Sequence, residues 1–167
     1  MSDTQTHAEV TTTRFEAILD HLDGAGVKYT VVEHERVQNA TDEAHAVGRP
    51  PGQVAKTVVL HDGRAYALAV VPASRRLDLH KLRELLGATG HLRLASESEI
   101  AADFPTMEVG AVPPFGPMMP MAEVIDERLL SSRRILCAAG DHRHSVLVHP
   151  RDVVRITAAQ VADICED

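Results

Sequence analysis

The sequence predicts a single α+β domain built on a mixed or antiparallel sheet, and three observations carry that expectation. Its 167 residues suffice for one hydrophobic core and are too few for two ordinary domains. Strand-length apolar runs and runs of helical period are interspersed rather than segregated. Hairpin signatures occur as often as the longer crossovers that parallel strands need.

The elements follow in order. Residues 1–12 carry neither a basic nor an apolar block, which predicts a disordered tail rather than a signal peptide, with the domain spanning 13–167. From Thr13 to Leu22, Phe15, Ile18, Leu19 and Leu22 recur at helical spacing, and Gly24-Ala25-Gly26 breaks the run. Val27–Val32 is rich in β-formers and predicts a strand. Thr41-Asp42-Glu43 is suited to cap a short helix through Val47, its acids on the positive end of the dipole. Lys56–His61 and Ala65–Val71 flank Asp62-Gly63-Arg64, which predicts a hairpin.

Asp78 opens a helix with Leu79, Leu82, Leu85 and Leu86 on its buried face, and Gly87 closes it. A short strand is expected over His91–Ala95. Ser96-Glu97-Ser98-Glu99 has the form of a capping box for a helix that stops by Pro105. Met121–Ile125, Ile135–Ala138 and Ser145–Val148 predict three more strands, and Thr157 is expected to cap a closing helix with Val161 and Ile164 inward.

Composition removes several classes of function. No apolar run approaches the roughly 20 residues that cross a bilayer. The net charge of −7 argues against broad binding to nucleic-acid backbone, DNA included, although a local contact with a nucleic-acid end is compatible with it. With no Trp and 3% aromatics, an extended base-stacking platform is not expected. Cys137 and Cys165 lack metal-ligand spacing and predict a reduced, cytoplasmic setting. His142, His144 and His149 lack the further ligands of a familiar metal site, so no metal or other cofactor is expected.

Two segments carry candidate chemistry. Lys56, one of three lysines, stands at the mouth of an apolar strand, where an ammonium is poorly solvated. It either snorkels or pairs with a carboxylate, or it grips a phosphate or polarises a carbonyl. The second segment is Gly110-Ala111-Val112-Pro113-Pro114-Phe115-Gly116: five of the nine prolines fall between residues 105 and 120. Prolines stiffen such a loop and glycines admit a ligand close to its backbone. It is either a packed connection or a rigid presenter of main-chain groups.

Taken in order, Val31-Val32-Glu33-His34, Gln53-Val54-Ala55-Lys56-Thr57, Ala67-Leu68-Ala69-Val70-Val71-Pro72, Leu77-Asp78-Leu79, the Gly110–Gly116 loop, Ile125-Asp126 and Ala139-Gly140 resemble the YbaK/prolyl-tRNA synthetase-associated domain family. The likeness runs from about Phe15 to Ile164, and the ordered series is more specific than any single piece. It implies a barrel-like sheet surrounded by helices and hydrolysis, in trans, of the ester between a wrong amino acid and the terminal adenosine of tRNA. On that resemblance Lys56 is the catalytic cation, and Gly110, Ala111, Val112, Pro113, Pro114, Phe115 and Gly116 hold the aminoacyl group. The implied partners are the tRNA acceptor end and a synthetase in trans, with no membrane. Ser145 stands where some relatives carry an acid, and Val32 where some carry a tyrosine. His144 and Ser145 are therefore expected pocket residues, while the amino acid removed is not inherited from any one relative. The alternative is a non-catalytic module that binds the aminoacyl-tRNA end, a nucleotide or a partner protein in the same cleft.

Overall fold

The computed structural model describes residues 14–87, 91–115 and 121–167, so the tail expected over residues 1–12 lies outside it. Five α-helices and eight strands run through the described residues. In chain order they are α1 (Arg14–Gly24), β1 (Tyr29–Glu33), α2 (Ala40–Val47), β2 (Ala55–His61), β3 (Tyr66–Pro72), α3 (Leu79–Leu86), β4 (Arg93–Leu94), α4 (Glu97–Asp103), β5 (Ala122–Asp126), β6 (Ile135–Ala138), β7 (His144–Val148), α5 (Pro150–Thr157) and β8 (Gln160–Ala162).

Local chemistry sets most of the boundaries. The Asp42 N–H donates to Asn39 Oδ1 at 2.9 Å, so α2 is capped by Asn39 and Thr41 lies inside the helix. Asp78 accepts from the N–H groups of His80 and Lys81, and Gly87 closes α3 at a φ of 62°. Only Leu82 of its leucines is fully buried. Leu79 and Leu86 pack partly, and Leu85 is 37% exposed, contrary to its expected place on the buried face. Ser96 and Glu99 form the reciprocal capping box that opens α4.

The chain end departs from expectation. Thr157 closes a helix rather than opening one, and the residues after it form β8, with Val161 exposed and Ile164 buried. Pro150 occupies the first turn of α5, where its missing N–H removes no intrahelical bond, and His149 Nδ1 accepts from the Arg151 N–H. Ala158 ends α5 with a φ of 55°, a left-handed conformation usually marked by glycine.

The strands form two open sheets rather than a closed barrel. One has the order β1-β7-β6 and is antiparallel throughout; the other has the order β4-β2-β3-β5-β8. In the larger sheet, β2 pairs antiparallel with β3 and β4, while β3–β5 and β5–β8 are parallel. A single parallel bridge, Val54 to Leu136, ties the start of β2 to β6.

The main core lies between the sheets and includes Val146, Val148, Ile135 and Cys137 from one and Val59, Leu68, Val70 and Ile125 from the other. Phe104, Met107, Val112 and Phe115 join it, so the Gly/Pro loop is anchored by burial. Each such side chain contributes about 1.5–3 kcal/mol when fully buried. A second cluster packs α3 on the far face of the larger sheet through Leu82, Val71, Val124 and Ile164. A third packs Ala40, Ala44 and Val47 of α2 on Val32, Leu136 and Leu147, across the outer face of the three-stranded sheet.

Candidate active site

The bridge between Val54 and Leu136 sets the start of β2 beside the end of β6, and the first turn of α2 covers the junction. Asn39, Ala40, Glu43, Ala55, Lys56, Thr57, Gly110, Val112 and Ala138 enclose a cavity of about 130 Å3 there. Drug-sized ligands occupy about 300–1,000 Å3, so this cavity suits a group of a few heavy atoms.

Lys56 forms one wall. Its Nζ donates to the Arg75 carbonyl oxygen at 3.0 Å, a neutral acceptor, and it forms no ion pair among the described residues. Burial lowers its pKa from the ordinary lysine value, and nearby Arg76 adds to the effect, with Cys165 opposing.

Gly110 and Val112 form the facing wall. Gly110 has a φ of 87°, and a methyl group there would sit 2.7 Å from the Gln38 carbonyl oxygen and 3.3 Å from the His142 ring. Only glycine fits both constraints. The loop is bonded to the β6–β7 turn: Glu108 N–H donates to Gly140 O at 2.8 Å, and Gly140 N–H donates to Ala111 O at 3.0 Å. Glu108 also accepts from the His142 N–H at 3.1 Å.

Glu43 closes the floor, and it is the residue the sequence does not single out as functional. It is 2% exposed, and its Oε2 is hydrogen bonded to the Ser145 hydroxyl. Ser145 Oγ in turn lies 2.8 Å from His34 Nε2, whose Nδ1 lies 2.8 Å from the Glu35 carbonyl. A carbonyl only accepts, so Nδ1 carries a proton. When Glu43 is protonated the chain then runs Glu43 to Ser145 to His34, each donating to the next. When Glu43 is ionised, Ser145 donates to it. Burial pushes the Glu43 carboxyl up to about 7, with the Ser145 hydrogen bond opposing the rise.

The expected site residues divide clearly. Lys56, Gly110 and Val112 line the cavity. Ala111 lines a small adjoining recess with His34, Glu43, Asp141 and His142. Pro113, Pro114 and Phe115 are buried behind the loop, and Gly116 lies outside the described residues. Ser145 is fully buried beneath Glu43, a support for the cavity floor. His144 faces the other way, because adjacent strand residues point to opposite faces. Its ring stacks on Phe15 with centroids 4.0 Å apart, and its Nδ1 lies 2.8 Å from Asp141 Oδ2.

A broad groove of about 1220 Å3 opens on the same outer face of the three-stranded sheet. Lys28, Arg49, Arg133, Arg134 and Arg151 line it, with His149 and one acid, Asp152. Asp152 is occupied by Arg155 at 3.2 Å, and Arg134 donates to Thr30 Oγ1 at 3.1 Å. Thr30 and Val32 share a strand face, and α2 lies across it, with the cavity at its first turn and Arg49 just past its end.

A family model described as an aminoacyl-tRNA editing domain matches residues 34–156, a span that contains Glu43, Lys56, Gly110 and Ser145. The chain belongs to this family. Among curated relatives of the editing domain, the prolyl-tRNA editing protein ProX of Acetoanaerobium sticklandii is 25% identical over 150 residues, covering 86% of this chain and 90% of its own length. A crystal structure provisionally described as a trans-editing enzyme for prolyl tRNA synthetase superposes with a TM-score of 0.81 at 30% identity, covering 94% of this chain and 99% of its own. The hypothetical protein APE2540 gives a TM-score of 0.80 at 25% identity over 89% of this chain and 99% of its own. The fold likeness spans nearly the whole described domain, and the family model spans residues 34–156 within it. No described helix is long and apolar enough to cross a membrane.

Proposed function

We propose that this editing domain is a metal-independent aminoacyl-tRNA deacylase acting in trans on tRNA mischarged with a small amino acid such as alanine, cysteine, serine or threonine. The observation that carries the reading is the 130 Å3 cavity with Lys56, in no ion pair among the described residues, on one wall and the Gly110–Val112 backbone on the other. A synthetase admits near-isosteric amino acids, and a second, smaller site corrects the error. The names of the relatives, prolyl-tRNA editing and trans-editing for prolyl-tRNA synthetase, support tRNA charged by that synthetase as the substrate and that synthetase as a partner in trans.

Water adds to the ester carbonyl, the bond to the ribose oxygen breaks, and that oxygen takes the proton released by the water. Lys56 stabilises the negative charge that develops on the carbonyl oxygen, or holds the terminal phosphate against the cavity mouth. Gly110, Ala111 and Val112 position the aminoacyl group and the water. The ester is already activated, so positioning and charge stabilisation suffice without a nucleophilic side chain.

The basic groove serves the rest of the acceptor end. A helix of eight residues spans about 12 Å, so phosphates beyond the terminal adenosine reach the groove while the aminoacyl group occupies the cavity. This confines attraction for RNA to one face of an acidic protein.

A panel of mischarged tRNAs measures the activity directly, with and without chelator. Hydrolysis of at least one small-aminoacyl member above the spontaneous rate, unchanged by chelator, is expected. Saturable binding of charged tRNA without turnover would instead favour the non-catalytic module.

A further inference from the structure

We propose that Glu43 is the ammonium-binding residue of the cavity, so that the substrates are esters bearing a free, protonated α-amino group. The inference rests on the deacylase reading above and names what the site requires of its substrate.

Glu43 Oε2 is taken by Ser145, but Oε1 is buried with no hydrogen-bond partner among the described residues. Leaving a buried carboxylate oxygen unsatisfied is costly, and native folds seldom do so without a function. The residue lines the cavity, and the lysine that shares this lining does not pair with it: Lys56 donates to the Arg75 carbonyl instead. An ionised carboxylate is an acceptor only, so Oε1 calls for a donor, and a donor carrying positive charge also compensates the buried negative charge.

An aminoacyl ester has that polarity. Its ammonium sits on the carbon next to the carbonyl, while the carbonyl oxygen gathers negative charge during hydrolysis. With the ammonium at Glu43 and the oxygen toward Lys56, both unlike charges of the cavity find their opposites in one small group. The other polar groups around Glu43 are Asn39 and Thr57 in the cavity, His34 through Ser145, and Asp141 and His142 in the adjoining recess. A bound ammonium favours the ionised carboxylate and offsets the upward push of burial.

The test compares alanyl-tRNA with lactyl-tRNA, in which a hydroxyl of nearly equal size replaces the ammonium. Each rate is divided by its spontaneous hydrolysis rate. The wild type is expected to prefer the alanyl ester by roughly 10- to 100-fold, the range of a buried charge-assisted hydrogen bond. In Glu43→Gln the alanyl rate falls and the lactyl rate changes little, so the ratio collapses toward 1, with the loss mainly in KM. Seryl- and glyceryl-tRNA form a second pair for the same comparison. A wild-type ratio near 1, or a wild-type ratio retained by the folded variant, overturns the proposal. Should Glu43→Gln fail to fold, the wild-type ratio alone decides. If the wild type cleaves no member of the panel, the deacylase reading itself fails, which is a different result from cleavage without preference.

Discussion

Glu43 and Lys56 line the same small cavity without pairing with each other. The Glu43 carboxyl is hydrogen bonded to the Ser145 hydroxyl, and the Lys56 ammonium donates a hydrogen bond to the Arg75 carbonyl, with Arg76 and Cys165 nearby. Partial burial strengthens the electrostatic influence of each group relative to water.

Lys56→Ala is expected to lower kcat/KM for deacylation by at least about 100-fold, the order observed when a transition-state charge donor is removed. The fold should survive, because Lys56 is only half-buried and its ammonium donates to a main-chain carbonyl rather than to a buried side chain. Circular dichroism and a melting curve separate the two effects. Full activity in the folded variant would refute the role given to Lys56.

Gly110→Ala places a methyl group 2.7 Å from the Gln38 carbonyl on a backbone at φ 87°. The strain should cost about 1–3 kcal/mol. Because the loop is bonded to the β6–β7 turn, deacylation should fall as well. Denaturant titration reads the first effect and steady-state kinetics the second. A variant as stable and active as the parent would show that the loop relaxes freely.

Glu43 and Glu123 give stability an acid-side preference. Burial raises Glu123 to about 8, relieved in part by Thr157, and raises Glu43 to about 7. Each folded pKa exceeds the unfolded one. The stabilising contribution is therefore complete below about pH 4.5 and is lost as pH rises, through about 7 for Glu43 and about 8 for Glu123. Glu123→Gln should gain on the wild type by about 3–5 kcal/mol between pH 4.5 and 8.5, at 1.36 kcal/mol per pKa unit. Unfolding curves across that range check it; a variant with the wild type's pH dependence would contradict it.

Arg133→Glu combined with Arg134→Glu should weaken binding of whole tRNA while leaving hydrolysis of a short aminoacylated CCA fragment near the wild-type rate. The dependence of log Kd on log salt should flatten by about 0.7–0.9 for each phosphate that the variant no longer neutralises. Equal effects on tRNA and fragment would move the groove's role into the cavity itself.

Where local chemistry decides a feature, the sequence is a sufficient guide. Asp78 and Gly87 bracket α3, Ser96 and Glu99 cap α4, Lys56 stands out by the scarcity of lysine, and Gly110 by its proline-rich loop. Glu43 is inconspicuous because an acid in a first helical turn has an adequate local explanation. Its burial depends on Ser145, which comes from 102 residues away. The α5–β8 end departs from expectation for a related reason: Ala158 supplies a left-handed stop that no glycine announces. The two open sheets likewise depend on non-local pairings such as Val54 with Leu136. His144 and Ser145 are neighbours in sequence, but only the alternation of β7 assigns Ser145 to Glu43 and His144 to Phe15.

The apolar part of the cavity wall consists of Ala40, Ala55, Val112 and Ala138, drawn from a helix, a strand, a loop and a second strand. Each contributes a side chain so small that one added or removed carbon changes the room available, and none carries the charge on which the chemistry depends. Capacity and reactivity are thus encoded by separate residues. On the deacylase reading proposed above, single substitutions at these four positions would change which amino acid the cavity admits while Lys56 and Gly110 stay untouched. On that reading, two proteins with the same lysine and glycine landmarks would serve different tRNAs.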